Sequence, residues 1–421
     1  MLRQIEGSKA IAETVALCRP EVVCAYPISP QTHIIEAVGA MVKSGRLTQC
    51  EFINVESEFA AMSVAIGASA TGARAYTATA SQGLLFMLEA VFNASGLGLP
   101  IVMTLANRAI GAPINIWNDH SDAMAVRDAG WIQLFAETNQ EAADLHVQAF
   151  RLAEELSVPV MVCMDGFILT HAVEGVDMLD QETVDAFLPP YEPRQVLDVD
   201  DPVSIGAMVG PEAFEEVRYL AYLRQRDALE RIPEIAREFT QLTGRESGGL
   251  IRSYRTDDAE IIVVALGSVL GTIKDAVDIR RDAGERIGVV GITAFRPFPS
   301  EAVRAALAQA RQVVVLEKSF STGFGGVLST DVAMSMRDLD FDLRTVIAGL
   351  GGRAITRRSL EDMLKRANDD ELEPLTFLDL DHDAVERERE RMRKVRRSGP
   401  SAENLLRDRA AFSSLPRGGG A

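Results

Sequence analysis

Cysteine is scarce in this chain: Cys18, Cys24, Cys50 and Cys163 are the only four in 421 residues, and no two stand as Cys-x-x-Cys. That excludes a disulfide scaffold and gives the chain no basis for its own iron–sulfur cluster or zinc site. Long apolar runs are also missing. The opening MLRQIEGSKAIAET lacks the apolar stretch of a secretory signal, and nothing later reaches the roughly 18 uninterrupted apolar residues of a membrane helix. A soluble protein of the reducing cytoplasm is therefore expected, with no membrane as partner. Positive charge is in deficit as well, 43 Lys and Arg against 61 Asp and Glu, for a net −18. Such a field repels nucleic acid and anionic lipid, so neither is expected to bind. The patterns His-x-x-Glu-His, Gly-x-Ser-x-Gly and Asp-x-Asp-x-Asp-Gly do not occur, which leaves metal-dependent and serine-hydrolase chemistry without an anchor.

What is present is an ordinary globular composition, 47% hydrophobic and 25% charged, with length for about three domains. From residue 22 to 165 short apolar runs alternate with helix-length amphipathic stretches, the mark of a parallel sheet covered on both faces. Strands are expected at 22–25, 50–55, 75–80, 100–106 and 159–165, and helices at 32–42, 58–71, 84–95 and 141–156. The helix around 60–70 is rich in Ala, Gly and Ser, which suits either tight packing or the close approach of a ligand. Alternation fades from 173 to 255, where FLPPYEPRQVLDVDDP carries four prolines and reads as an extended connection. A long polar helix or helix pair is expected over 212–243. A second alternating block follows, with strands at 261–265, 287–293, 312–316 and 344–347. Beyond Leu375 the chain turns polar, and 384–397 holds seven basic and three acidic residues, a solvated helix with i,i+4 ion pairs or a docking arm for an acidic partner. The closing RGGGA is of low complexity. The division expected is 1–185, an α/β parallel-sheet domain; 186–255, a linker with a helical segment; 256–370, a second α/β domain; and 371–421, a charged extension.

Four turns at strand ends could carry chemistry, since ligands of such sheets bind at the carboxyl ends of the strands. The first is Tyr26-Pro27-Ile28-Ser29-Pro30-Gln31-Thr32, with two prolines and two hydroxyls, though Gln31 or Thr32 could simply begin the next helix. The second, Asn54-Val55-Glu56-Ser57-Glu58, offers two carboxylates that diverge once helical geometry begins, and Glu58, opening the small-residue helix, is the better candidate. A solvated glutamate favoured by the helix dipole is the alternative. The third, Ala80-Ser81-Gln82-Gly83-Leu84, is a turn whose free N–H groups suit an anion, or a plain helix entry. The fourth is Ala106-Asn107-Arg108-Ala109, followed by INIWNDHSD, where an arginine fork suits a carboxylate substrate or a surface ion pair. Glycine turns at 319–326 and 349–352 in the second block suit anions or helix entry equally.

Taken in order, YPISPQT, VESEFAAMSVAIGASATGARAYTATASQGL, LPIVMTLANRA, INIWNDHSD and VCMDGFILTH resemble the alpha subunit of the pyruvate and related 2-oxoacid:ferredoxin oxidoreductases. The similarity continues through ALGSVLGT, FRPFP, LEKSFSTGFGG and GLGGR, so it covers most of residues 1–352. The resemblance implies a pyrimidine-type thiamine diphosphate-binding domain followed by a transketolase C-terminal-like α/β domain. It implies a cofactor shared with a beta subunit that holds the diphosphate and its magnesium, which agrees with the lack here of a Gly-Asp-Gly motif followed by Asn. Gamma and ferredoxin-like delta subunits would bear the iron–sulfur clusters.

By the same resemblance Glu58 hydrogen-bonds the aminopyrimidine ring, Pro27 sets backbone against the cofactor, and Ser81 and Gln82 lie on the cofactor side. Ser29 stands where Thr is common, keeping a hydroxyl for substrate but widening the pocket by a methyl, and Arg108 receives the substrate carboxylate. The implied reaction is oxidative decarboxylation of a 2-oxoacid with coenzyme A to acyl-CoA, carbon dioxide and reduced ferredoxin or a similar acceptor. Pyruvate is the family default, with 2-oxoglutarate, branched-chain and aryl 2-oxoacids open. Two other readings are the pyrimidine-binding half of a lipoamide-linked dehydrogenase, against which YPISP and ANRA argue, and a non-catalytic scaffold paralogue, against which the joint presence of Glu58, Ser29 and Arg108 argues.

Overall fold

Runs of Val, Ile and Ala without polar alternation need cover on both faces, and the chain meets that need with two mainly parallel sheets that share a core. The computed structural model of the chain describes residues 2–413, and the low-complexity close at 417–421 lies outside them. The strands are β1 (Leu2–Glu6), β2 (Val22–Ala25), β3 (Glu51–Asn54), β4 (Ala75–Thr79), β5 (Ile101–Asn107), β6 (Ile132–Phe135), β7 (Val160–Asp165), β8 (Val173–Asp177), β9 (Ile251–Tyr254), β10 (Ile261–Ala265), β11 (Ile287–Ile292), β12 (Ala294–Arg296), β13 (Gln312–Glu317), β14 (Asp342–Ile347) and β15 (Leu375–Phe377).

The first sheet is ordered β12-β6-β7-β5-β4-β2-β3. It is parallel except at β12, which comes from the second half of the chain and pairs antiparallel with β6. The second is ordered β15-β14-β13-β10-β11-β9, parallel except at β9. β1 and β8 form a separate antiparallel pair. β4, β5 and β7 are buried along their whole length. One core cluster joins Met103, Leu105, Phe135 and Met161 of the first sheet to Ile262, Val264, Val290 and Val315 of the second, so the two units share an apolar core.

The α/β class stands, and the nine strands placed by alternation of apolar runs fall within two residues of their observed bounds, whereas β6, four buried residues in the first block, has no counterpart among them. Several elements differ. The helix expected over 84–95 is two, Ser81–Phe86 and Leu88–Gly96, broken at Met87. The polar stretch after 212 is one continuous helix, Phe214–Thr243, running through Pro233. β9 and β15 lie outside the limits expected for the second block, so its sheet runs from 251 to 377. Short strands such as β12, three residues long, leave no periodicity to read. In the charged extension, helix His382–Lys394 spends much of its charge internally: Arg389 pairs with Glu386, Lys394 with Glu390, and Arg391 with Glu388 and with Asp408 of the following helix, Ser401–Ser413.

At the junction of the two units a carboxylate is fully buried. Asp165, at the end of β7, accepts hydrogen bonds from Asn118 Nδ2 (3.1 Å), Ser268 N (3.1 Å) and the Ser268 hydroxyl, and pairs with His120 Nε2 (2.6 Å) and Lys318 Nζ (3.1 Å). Burial alone would raise its pKa, but Lys318 and His120 outweigh that and hold it well below the usual carboxylate range. Because the folded pKa is depressed, this contribution to stability is complete above the ordinary carboxylate range and is lost only as pH falls through the lower folded value. Asp165→Asn is expected to lose about 3–5 kcal/mol at pH 7, the scale for removing one partner of a buried pair. Denaturant melts of the purified protein measure it. A loss below about 1 kcal/mol would show that Asp165 does not hold the junction.

Candidate active site

The chain passes from β2 outward to β3 at the edge, then returns past β2 to β4 and continues through β5 and β7, which makes β2/β4 the point where strand order reverses. In open α/β sheets the crevice at such a point, beyond the carboxyl ends of the strands, is the ordinary ligand site. All four turns singled out from the sequence open there: 26–32 after β2, 54–58 after β3, 80–84 after β4 and 106–109 after β5. The fold therefore brings Pro27, Ser29, Glu58, Ser81, Gln82 and Arg108 to one end of one sheet.

Glu58 is the first residue of helix Glu58–Ala70, whose start is fixed by Ser57 accepting the Ala60 N–H at 3.2 Å. Its side chain turns inward and is 8% exposed, while Glu56 faces solvent. No hydrogen bond or ion pair among the described residues engages the Glu58 carboxylate, an arrangement that costs free energy unless a ligand supplies the partner. Gly83 makes the space: a Cβ there would lie 2.7 Å from Glu58 Oε1 and 2.5 Å from Thr79 Oγ1. Thr79 Oγ1 is itself buried without a partner, and so is Gln31 Oε1. Gln31 does not cap its helix; its Nε2 donates to Tyr26 O (3.0 Å) and Ala78 O (2.9 Å), tying the loop after β2 to β4. The Glu58 carboxylate and the Thr79 hydroxyl thus meet at Gly83 without a bond between them, while the Gln31 amide oxygen stays unpartnered in the loop after β2.

Arg108 follows β5 and is 6% exposed. Its Nη1 donates to Ser29 O (2.9 Å) and its Nε to Asn115 O (3.1 Å). Both acceptors are neutral carbonyls, and burial lowers its pKa from the ordinary value, opposed by the charge of Asp122. The surface ion pair that the sequence left open is absent. Asp119 is occupied by the Ser121 N–H and hydroxyl and by Gly351 N (3.0 Å), and Asp122 takes the Arg108 backbone amide, not its side chain. Gly351, from the second unit, also accepts from Asn115 Nδ2 (3.1 Å), so the loop that steadies Arg108 leans on the second sheet's glycine turn. Pro27 and Ser29 are exposed at the mouth of the crevice.

The free N–H groups expected at 80–84 are not all free. Ser81 has a left-handed backbone (φ +49°) and is wholly buried; its N–H goes to Asp122 Oδ2 (3.0 Å) and its hydroxyl to Ala109 O (2.5 Å) and Gln82 Oε1. The anion at this turn is Asp122, a carboxylate of the chain itself. Ser81 holds the turn's shape instead of offering donors, whereas Gln82 stays partly exposed, its Nε2 against Gly111. The residues that sequence reasoning missed are Gln31, Thr79 and Asp122. Asp122 accepts four N–H groups: Asn107 Nδ2 (2.9 Å) and Ala123 N (2.8 Å) on Oδ1, Ser81 N and Arg108 N (2.9 Å) on Oδ2. Burial pushes its pKa up to about 6 against the pull of those donors.

Two joined α/β units with a crevice at the strand reversal define a chain of transketolase-like architecture. A split-gene transketolase, described as an inactive beta4 tetramer, superimposes at a TM-score of 0.51 over 87% of this chain and 98% of its own, at 14% identity. The 2-oxoglutarate:ferredoxin oxidoreductase from Magnetococcus marinus does so at 0.66, over 87% of this chain and 65% of that one, at 18% identity. Residues 13–237 match the family described as pyruvate flavodoxin/ferredoxin oxidoreductase, thiamine diphosphate-binding, and residues 259–360 match pyruvate:ferredoxin oxidoreductase core domain II. Pyruvate synthase subunit PorA of Methanosarcina barkeri is 50% identical over 366 residues, 86% of this chain and 91% of its own. PorA of Methanothermobacter thermautotrophicus is 44% identical, over 88% and 96%. Ketoisovalerate oxidoreductase subunit VorA of Pyrococcus abyssi is 40% identical, over 86% and 93%. The chain belongs to the alpha-subunit family of the thiamine diphosphate-dependent pyruvate and 2-oxoacid:ferredoxin oxidoreductases.

The inward turn of Glu58 yields a paired test. In the assembled enzyme Glu58→Gln is expected to cut turnover by about 10²-fold or more while leaving assembly intact, the usual scale for a lost acid–base group. Glu56→Gln, altering an exposed side chain, should change turnover less than about twofold, within the range of a neutral surface substitution. Equal losses would mean that the wrong carboxylate has been assigned.

Proposed function

We propose that this chain is the alpha subunit of a CoA-acylating 2-oxoacid:ferredoxin oxidoreductase acting on pyruvate, and that it is inactive alone. The observation that carries the reading is Arg108: a buried guanidinium at the crevice whose described hydrogen-bond partners are neutral carbonyls, one of them Ser29 O, and which no carboxylate engages directly. Such a group is suited to a small anionic substrate. The PorA names among the relatives favour pyruvate, and the VorA relative makes a branched-chain 2-oxoacid the second reading.

The Glu58 carboxylate and the unpartnered Thr79 Oγ1, side by side at Gly83, fit the edge of a heteroaromatic ring that carries both donors and acceptors, as the aminopyrimidine of thiamine diphosphate does. When bound, that cofactor supplies the carbanion chemistry at the substrate carbonyl. The chain's own part is to share a proton with the ring through Glu58, to present backbone at Pro27 and the amide of Gln82, and to orient the 2-oxoacid with Arg108 and the Ser29 hydroxyl. Arg108 must orient without holding too tightly, because the carboxylate is lost in the reaction. Magnesium and the diphosphate are assigned to a beta subunit, and iron–sulfur clusters to gamma and ferredoxin-like delta subunits. The buried thiols support the latter: burial pushes Cys24 and Cys50 up to about 11, away from the thiolate a cluster requires. Coenzyme A and ferredoxin complete the set, and the cytoplasm is the compartment that free cysteines suit.

A panel of pyruvate, 2-oxoisovalerate, 2-oxoglutarate and aryl 2-oxoacids, assayed with the purified complex and a viologen acceptor, tests the substrate; pyruvate should give the highest kcat/KM. Absence of turnover on every member would overturn the proposal. Calorimetry on the isolated chain should show no tight thiamine diphosphate binding, and micromolar affinity would contradict the shared site. Arg108→Lys keeps the charge and loses the fork, so it should raise KM for the 2-oxoacid more than it weakens cofactor affinity, and Arg108→Ala should be worse on both KM and turnover. An intact Arg108→Ala complex with normal KM would remove Arg108 from the site.

A further inference from the structure

Asp122 sits in the short helix Ser121–Ala125, wholly buried, and its two carboxylate oxygens do different work. Oδ1 accepts from its own neighbour Ala123 N and from the side chain of Asn107, at the end of β5. Oδ2 reaches away from the helix to two backbone amides that belong to different strand-end turns: Ser81 N, 3.0 Å away after β4, and Arg108 N, 2.9 Å away after β5. Those turns carry the two halves of the crevice, Gln82 with Gly83 beside Glu58 on one side and the guanidinium of Arg108 on the other. β4 and β5 are neighbours in the sheet, but their ladder ends at Thr79 opposite Leu105, short of both turns. Beyond that point the two turns are tied by the Ser81 hydroxyl, which donates to Ala109 O (2.5 Å), and by this one oxygen, the acceptor that takes a backbone amide from each.

We propose that Asp122 is a positioning residue, its Oδ2 fixing the cofactor-side turn at Ser81 relative to the substrate-side Arg108. Accordingly it sets how the 2-oxoacid is presented without touching it. This rests on the functional reading above. A neutral acceptor would not serve as well, since N–H bonds to a carboxylate are about twice as strong as neutral ones. An asparagine in its place would keep Oδ1 for Asn107 and Ala123 but point an NH₂ group at two N–H donors. Asp122→Asn thus preserves size and the Oδ1 bonds while breaking the bridge.

The experiment uses the purified complex. Asp122→Asn is expected to raise KM for the 2-oxoacid by at least about 10-fold, the scale of a lost hydrogen bond to a charged group, with a smaller effect on kcat. It is also expected to weaken thiamine diphosphate binding, measured by calorimetry without turnover. The decisive readout is a cycle with Arg108→Ala: if Asp122 acts through Arg108, the KM penalty of Asp122→Asn disappears in the Arg108→Ala background, whereas a merely structural role multiplies the two penalties. An assembled Asp122→Asn complex with normal KM and normal cofactor affinity overturns the proposal, as does a multiplicative cycle. Should Asp122→Asn fail to assemble, Asn107→Ala removes one donor from Oδ1 and loosens the hold that keeps the carboxylate over the two turns. It should shift KM in the same direction by a smaller factor, and no shift counts against Asp122. A wild-type complex that turns over no 2-oxoacid sinks the functional reading instead, and the calorimetric comparison of Asp122→Asn with wild type still decides whether Asp122 shapes the cofactor side.

Discussion

The burial of Asp165 between Lys318, His120, Asn118 and Ser268 is the constraint on which the arrangement depends. A charge wholly removed from water is tolerable only when its partners are all in place, and here they come from the loop after β5 and from two turns of the second sheet. Satisfying that one carboxylate fixes three segments at once. The loop held by His120 and Asn118 is the one that begins at Arg108 and ends at Asp122. His120 N also donates to Lys318 O (2.9 Å), and Gly351 pins Asp119 and Asn115 from the same side. The second sheet is therefore a wall of the crevice: Arg108 stands where the domain junction sets it.

Two carboxylates of similar burial reach opposite states in this small volume. Asp165 faces the Lys318 ammonium and His120, and its pKa falls; Asp122 has N–H donors and no ion pair, and burial, with the neighbouring Asp119, raises its pKa to about 6. The difference follows from partner chemistry and not from depth. It also separates their tasks, since an ion-paired group is suited to holding two units together and a dipole-bound group to setting fine geometry between turns.

Apolar alternation made the parallel strands and their covering helices legible, because a strand buried on both faces has no freedom to carry polar residues. The turns at 26–32, 54–58, 80–84 and 106–109 were legible for a related reason: each joins a strand's carboxyl end to a helix, and the sheet topology brings those ends together. The inward turn of Glu58 was not legible in the residues alone, because a glutamate opening a helix is equally at home in solvent, and only the family resemblance pointed it at a ligand. Gln31 read as a helix start and proved to be a cross-link between the loop after β2 and strand β4, because a side-chain amide reaching two carbonyls five and 47 residues away leaves no local pattern. Asp122 was visible only as a possible partner of Arg108, since backbone amides that accept no side-chain signature are silent in a sequence. The tripeptide β12 was beyond reading for its length alone.

That tripeptide has a consequence for how the chain is made. β6 would otherwise be the open edge of the first sheet, with a row of unpaired N–H and C=O groups available to any other strand. Its cover arrives only with Ala294–Arg296, about 160 residues further along. A chain emerging from the ribosome thus holds six strands of its first sheet with one sticky margin exposed while the long helix and half of the second unit are still being added. Truncation between 240 and 290 would leave that margin permanently bare, and fragments ending there should associate through it, whereas fragments reaching past β12 close their own edge.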